Sequence, residues 1–310
     1  MAIDPASVDW TAARRASYLL RQTFRYEYPE PINDLKHRLV VIPPERFGDQ
    51  RRLRHHVLVA GRAQGVLSNA ERAQGALSAE IDGLQCADKA DKFGNVVFEV
   101  FAPRVRQAIE FAAEVSVERH AAEPNRLGNG WLADGYLLEQ SPLTAADGRI
   151  LRAAEKLHDS AEWGLPLADR INDWVYQSMT YRMGATGVRT TAAEALAMGT
   201  GVCQDYAHLM LAVCRACGLP ARYVSGHLLG QGGTHAWVEV VLPTRDGTGE
   251  AIAWTFDPTH ASRGGMGHVT IAIGADYSDV APTSGSYVSR TRGRLIASKK
   301  VTLTDVSYLG

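Results

Sequence analysis

Three residues of this 310-residue chain have types and surroundings that suit nucleophilic acyl transfer: Cys203, His235 and Asp257. Cys203 follows the glycine-rich stretch Gly199-Thr200-Gly201 and opens an apolar run, CQDYAHLMLAVCRAC, that reads as a helix. A cysteine at a helix start meets unpaired backbone N–H groups and the positive end of the helix dipole, and both favour thiolate over thiol. The backbone N–H of such a residue is also a natural oxyanion donor. A thiol nucleophile needs a base beside it and a group that orients the base. His235 opens the second strand after the helix, and Asp257 ends the third. Adjacent antiparallel strands can bring these two side chains together on one face, opposite the helix start. Taken singly, each residue has an ordinary structural use; their order and context make them a candidate triad.

The elements that must position them are readable from periodicity and caps. Thr144 is the expected cap of a helix running to about Leu157. Leu167, Ile171, Trp174, Val175 and Met179 fall at helical spacing and predict a second amphipathic helix. Thr191 with Glu194 fits a capping box, opening a short helix to about Met198. The cysteine helix then runs from Cys203 to about Cys217, with Gly218 past its end and Pro220 preventing continuation. From residue 221 the period falls to two, giving strands at 221–229, 234–242 and 251–258, and a further one at 295–303. Upstream, residues 18–43 predict two strands with a turn, Val57–Ala60 another, and the segments at 91–103 and 109–120 two more. RAQGVLS (62–68) recurs as RAQGALS (72–78), a local duplication too short for a solenoid. The expected division is a mostly β domain over 1–122, a linker over 123–143 rich in Gly, Asn and Pro, and a catalytic core over 144–310.

Several neighbours of the candidate triad have supporting readings. Gln204 and Asp205 cap the helix start or organise the site, with an oxyanion role open to Gln204. His208 lies five residues after Cys203 on the same helix and therefore faces about 140° away from it, which makes it a core or supporting histidine. Trp237 and Trp254 pack beside the triad strands, with a shielding wall over the thiol–imidazole pair open to them. His260 and His268 are placed along the cleft. Cys214 and Cys217 form C-x-x-C late in the helix and read as packing groups. No cysteine–histidine spacing suits zinc and no acidic loop has EF-hand spacing, so neither a metal nor a cofactor is expected.

Composition sets the outer limits. Hydrophobic content of 45% and charged content of 22% are globular values. A formal net charge of −1 implies no general affinity for nucleic acid. No apolar run approaches the roughly 20 residues of a membrane span, so no membrane partner is expected. The first residues carry early acids and no apolar stretch, unlike a signal peptide. Four unevenly placed cysteines do not make a disulfide scaffold, and a reducing, cytoplasmic setting is expected.

The blocks GVCQDYAHLMLAVCRACGLPARYVSGHL, THAWVEV and WTFDPTH together resemble the Cys, His and Asp motifs of the transglutaminase-like superfamily, in the same order. GADYSDVAPTSGSY (274–287), RYEYPEPINDLKHRLVVIPP and DKFGNVVFEV also resemble segments of its bacterial members. The resemblance implies an α+β fold: an N-terminal β-sandwich-like domain followed by a papain-like core of helices packed on an antiparallel sheet. It implies Cys203 as nucleophile, His235 as base and Asp257 as the orienting acid. The activity it implies is thiol-dependent cleavage of peptide or amide bonds through a thioester, with a peptide or protein substrate and hydrolysis favoured. The alternatives are transfer of the acyl group to a primary-amine acceptor and, in another class, a non-catalytic binding module. Oligomeric state has no signature in the sequence.

Overall fold

The computed structural model describes residues 2–59, 62–64, 81–121, 124–133 and 135–308. Apart from the short strand Arg62–Gln64, the duplicated RAQG segments lie outside the described residues. In chain order, the first strands are β1 (Arg15–Glu27), β2 (Ile32–Ile42), β3 (Gln50–Val59), β4 (Gln85–Ala90), β5 (Val96–Val105) and β6 (Ala108–His120). A short β7 (Asn125–Leu127) precedes helices α1 (Gly148–Ser160), α2 (Leu165–Ser178), α3 (Ala192–Met198) and α4 (Cys203–Ala216). Then follow β8 (Ala221–Leu228), β9 (His235–Pro243), β10 (Ala251–Asp257), β11 (Ser262–Arg263) and β12 (His268–Gly274). Strands β13 (Thr283–Val288) and β14 (Arg294–Ser307) close the chain.

The chain divides into two compact units. The first holds residues 1–122, 228–234 and 281–310. Its strands form two sheets, one containing β14-β1-β6-β3 and the other β13-β2-β5-β4. Burial alternates along β1 and β6, as a strand with one covered face requires. Phe24 and Phe111 from the first sheet join Leu35, Leu39 and Phe98 from the second in one apolar cluster, so the two sheets are packed face to face as a sandwich. The expected division by position along the chain needs amending here. Strand β14 pairs with β1 over its whole length, from Arg15 opposite Ser307 to Glu27 opposite Arg294. The last thirty residues therefore belong to the first unit rather than to a core extending over 144–310.

The second unit holds residues 123–227 and 235–280. Its sheet runs β11-β10-β9-β8-β12, with β7 added on β10. Helix α4 is buried from Gln204 through Arg215, and α1, α2 and α3 pack around it. An apolar surface on all sides suits a helix at the centre of a domain rather than on its surface. The stretch expected as a linker is instead part of this unit. Strand β7 pairs with β10, Leu137 is buried, and its carbonyl accepts the Ala221 N–H at 2.8 Å. The α1 cap is also one turn later than expected. Asp147 accepts the Arg149 and Ile150 N–H groups at 2.9 and 3.0 Å, while Thr144 is buried and accepts from the Arg215 guanidinium. Among the described residues no helix is long and apolar enough to cross a membrane.

A buried ion pair ties the register of the strands that carry the site. Arg222 on β8 lies opposite Glu239 on β9, and its guanidinium meets the carboxylate at 2.6 and 2.7 Å. Asn125 on β7 donates to the same carboxylate at 3.1 Å. With this pair in register, His235 falls opposite Gly226. Removing the carboxylate from a buried guanidinium costs on the order of 3–5 kcal/mol. Glu239→Ala is accordingly expected to lower unfolding free energy by about that amount. Chemical denaturation of the full chain measures it, and a loss of a few tenths would contradict the assignment.

Candidate active site

The start of α4 is shaped by a single carboxylate. Asp205, in the first turn, folds back to accept the Val202 N–H at 2.7 Å and the Thr186 hydroxyl at 2.6 Å. A β-carbon at Gly201 would lie 2.7 Å from the Asp205 β-carbon and 2.9 Å from its carboxylate oxygen. Only glycine leaves room for that fold-back, which accounts for the small residue two places before Cys203. Burial pushes the Asp205 carboxyl up, against the opposing hydrogen bonds from Thr186 and Val202. Gln204 turns its amide toward the Gly187 carbonyl at 3.5 Å, at the limit of a hydrogen bond.

Cys203 is partly exposed, and its sulfur is near enough to His235 to act on the imidazole. His235 is 4% exposed and Asp257 has no exposed surface. The His235 Nε2 lies 2.8 Å from Asp257 Oδ2, which leaves Nδ1 as the ring nitrogen directed to sulfur. Burial acts to lower the His235 pKa, but the hydrogen bonds and charges of Asp257 and Cys203 outweigh it and raise the value to about 9. Asp257 is held well below the carboxylate range: burial opposes this, and the hydrogen bonds from His235, His268 and His260 overcome it. The structure therefore brings Cys203, His235 and Asp257 together, with His235 hydrogen-bonded to Asp257.

The supporting residues separate into two groups. Trp237 is buried beside the site, with its ring centroid 6.1 Å from that of His235 and 5.2 Å from that of His268. It lies against Gly226, where a β-carbon would fall 2.4 Å from the indole and 2.2 Å from the Val269 carbonyl oxygen. His208 is a core residue: it accepts the Tyr277 N–H at 3.2 Å and packs against Tyr223, and burial pushes it down to about 4, so it is neutral near pH 7. Cys214 and Cys217 are buried thiols that burial pushes up, Cys217 to about 11.

Sequence reasoning missed the closeness of His260 and His268 to Asp257. His260 Nδ1 lies 2.8 Å from Asp257 Oδ2, and His268 Nε2 lies 3.2 Å from the same atom. The DPTH run carried a signal for the first, because the residue three places after a strand end can turn back onto it. His268 had none. Donor atoms of His235, Asp257 and His260 fall within 4.8 Å of one another, a spacing compatible with a metal ion. Here each imidazole nitrogen faces the carboxylate at hydrogen-bonding distance, so the cluster is accounted for without one.

Residues 152–255 match the model of the transglutaminase-like superfamily. That third of the chain is similar to the superfamily's core. The matched segment contains Cys203 and His235 and stops two residues before Asp257. An uncharacterized protein of Mycobacterium leprae is 29% identical over 221 residues, covering 64% of this chain and 75% of that protein. An uncharacterized protein of Mycobacterium tuberculosis is 34% identical over 190 residues, covering 57% of this chain and 58% of that one. The chain thus spans little more than half the length of the second relative. The crystal structure of a candidate cysteine protease from Cytophaga hutchinsonii superposes with a TM-score of 0.61 at 19% identity, over 94% of this chain and 99% of that one. The two share a fold, α+β with a transglutaminase-like core.

The raised His235 value has a thermodynamic consequence. A group whose folded pKa lies above its unfolded value of about 6.5 stabilises the fold fully below that value and loses the contribution as pH rises toward the folded pKa. The stability difference between wild type and His235→Gln should therefore be largest in acid and shrink between pH 6.5 and about 9. Urea denaturation of both proteins across that range measures it, and a difference that stays constant counts against the charged imidazole.

Proposed function

We propose that this chain is a thiol-dependent enzyme that cleaves a peptide or amide bond through a Cys203 thioester, with water as the acceptor. The observation that carries the reading is the series from the Cys203 thiol through His235 to the buried Asp257 carboxylate. Cys203 sulfur attacks the carbonyl carbon, and its proton resides on His235 Nδ1. The carbonyl oxygen gains the negative charge in a tetrahedral intermediate beside the Cys203 backbone N–H at the start of α4. Collapse expels the amine, which takes the proton from His235 and leaves the thioester. Water then attacks, His235 accepts its proton, and breakdown releases the acid and returns the proton to sulfur. Asp257 holds its charge throughout and orients the ring, as in other nucleophile–histidine–acid systems.

A primary amine in place of water would follow the same proton path and yield a new amide. A reducing, cytoplasmic compartment belongs to the same reading, because a thiol nucleophile must stay unoxidised.

Iodoacetamide labelling at about pH 6 tests the nucleophile, since most isolated thiols are protonated there. Cys203 should label at least tenfold faster than Cys86, Cys214 and Cys217, and His235→Ala should abolish the advantage. Equal, slow labelling of all four would refute the reading. A peptide panel incubated with and without a primary amine, read by mass spectrometry, identifies the acceptor. New termini or conversion of a side-chain amide to an acid supports hydrolysis, and amine adducts would replace it with transamidation. Both products should vanish in Cys203→Ala, and EDTA should leave them unchanged.

A further inference from the structure

Asp257 Oδ2 stands at the focus of three imidazoles. His235 reaches it from β9, His260 from the turn after β10, and His268 from the start of β12, at 2.8, 2.8 and 3.2 Å. The other oxygen, Oδ1, accepts the Thr259 N–H at 3.0 Å. An ionised carboxylate only accepts hydrogen bonds, so each of the three facing nitrogens must carry a proton. For His268 the tautomer is determined from both sides. Its Nδ1 accepts the Gly265 N–H at 3.2 Å and so holds no proton, which makes the ring neutral with its N–H on Nε2. His260 presents Nδ1–H. Cys203, on α4, is close enough to act on the same imidazole.

We propose that His268 and His260 are positioning residues of the active site: their two N–H groups lock the Asp257 carboxylate in the orientation that holds His235 Nδ1 toward the Cys203 thiol. This rests on the thiol–imidazole reading above. The carboxylate has no exposed surface, so water cannot solvate its outward lone pairs. A neutral N–H donor satisfies one of them without adding a positive charge beside the His235 imidazolium, which a lysine or arginine would do. The His268 ring is itself held edge-on to Trp237, 5.2 Å between centroids, so its N–H direction is set by packing. His260 is more exposed, and its Nδ1–H is placed by the short turn in which its own N–H also donates to the Asp257 carbonyl.

The chemistry names its own controls. Glutamine at 268 can set an amide N–H where Nε2–H stands, and asparagine at 260 can replace Nδ1–H. Leucine at either position keeps bulk and removes the donor. In the full chain, His268→Leu and His260→Leu should each slow Cys203 alkylation at about pH 6 by roughly tenfold or more, the effect of one hydrogen bond to a charged group. His268→Gln and His260→Asn should recover most of that loss. Imidazole nitrogen NMR of the wild type should show His268 as the neutral Nε2–H tautomer and His235 with both nitrogens protonated. The proposal is overturned if the leucine variants alkylate at the wild-type rate, if glutamine and asparagine do no better than leucine, or if His268 carries its proton on Nδ1. Slow, His235-independent alkylation of the wild type would instead strike the acyl-transfer reading. The nitrogen spectra tell the two failures apart, because they report the three-imidazole cluster whether or not the thiol reacts.

Discussion

Burial of the Asp257 carboxylate is the constraint on which the site depends. Moving an ionised carboxylate out of water is expensive, and the cost is tolerated only where donors replace the lost hydration. Here the donors are three imidazole N–H groups and one backbone N–H, from three separate stretches of chain. Strands β9, β10 and β12 must therefore meet in one register for the charge to be satisfied. The buried Arg222–Glu239 pair helps supply that register, and Gly226 supplies the space in which Trp237 lies. Once the charge is satisfied it acts in turn on His235, whose pKa rises although the ring is almost fully buried.

The two carboxylates near the thiol show how environment divides their work. Asp205 and Asp257 are both buried and both accept short hydrogen bonds. The donors of Asp205 are a neutral hydroxyl and a backbone N–H, and burial prevails, so its carboxyl is pushed up. Asp257 faces a histidine that can carry charge, and its carboxyl is held down. Asp205 is thus suited to shaping the helix start that presents Cys203, and Asp257 to stabilising an imidazolium. Exchanging their positions would leave the thiol without a charged partner for its base.

Local features of this arrangement were legible in the sequence. The Thr191–Glu194 capping box, the α4 start at Cys203 and its end just before Gly218, and the strands after it follow from caps, glycines and alternation within a few residues. Face-to-face sheets in the first unit and a helix buried on all sides in the second match the α+β expectation. The errors arose where sequence-distant partners decide. Gly, Asn and Pro between residues 123 and 143 signal irregular backbone, but irregular backbone can still pack, and Leu137 and β7 do. Strand β14 alternates as any strand would, and nothing in its own residues says that its partner is β1, nearly 300 positions away.

The same distinction explains why the helix start at Cys203 could be read while the surroundings of Asp257 could not. A reactive cysteine needs a helix start, and a helix start is written within five residues: Gly201 for close approach, Asp205 for the cap. A buried anion needs donors from wherever the fold can bring them. His268 reaches Asp257 although β8 and β9 separate β12 from β10 in the sheet, and the Gly265 N–H holds its Nδ1 while Nε2 meets the carboxylate. That placement is a property of strand order, and strand order is set by the whole unit folding at once.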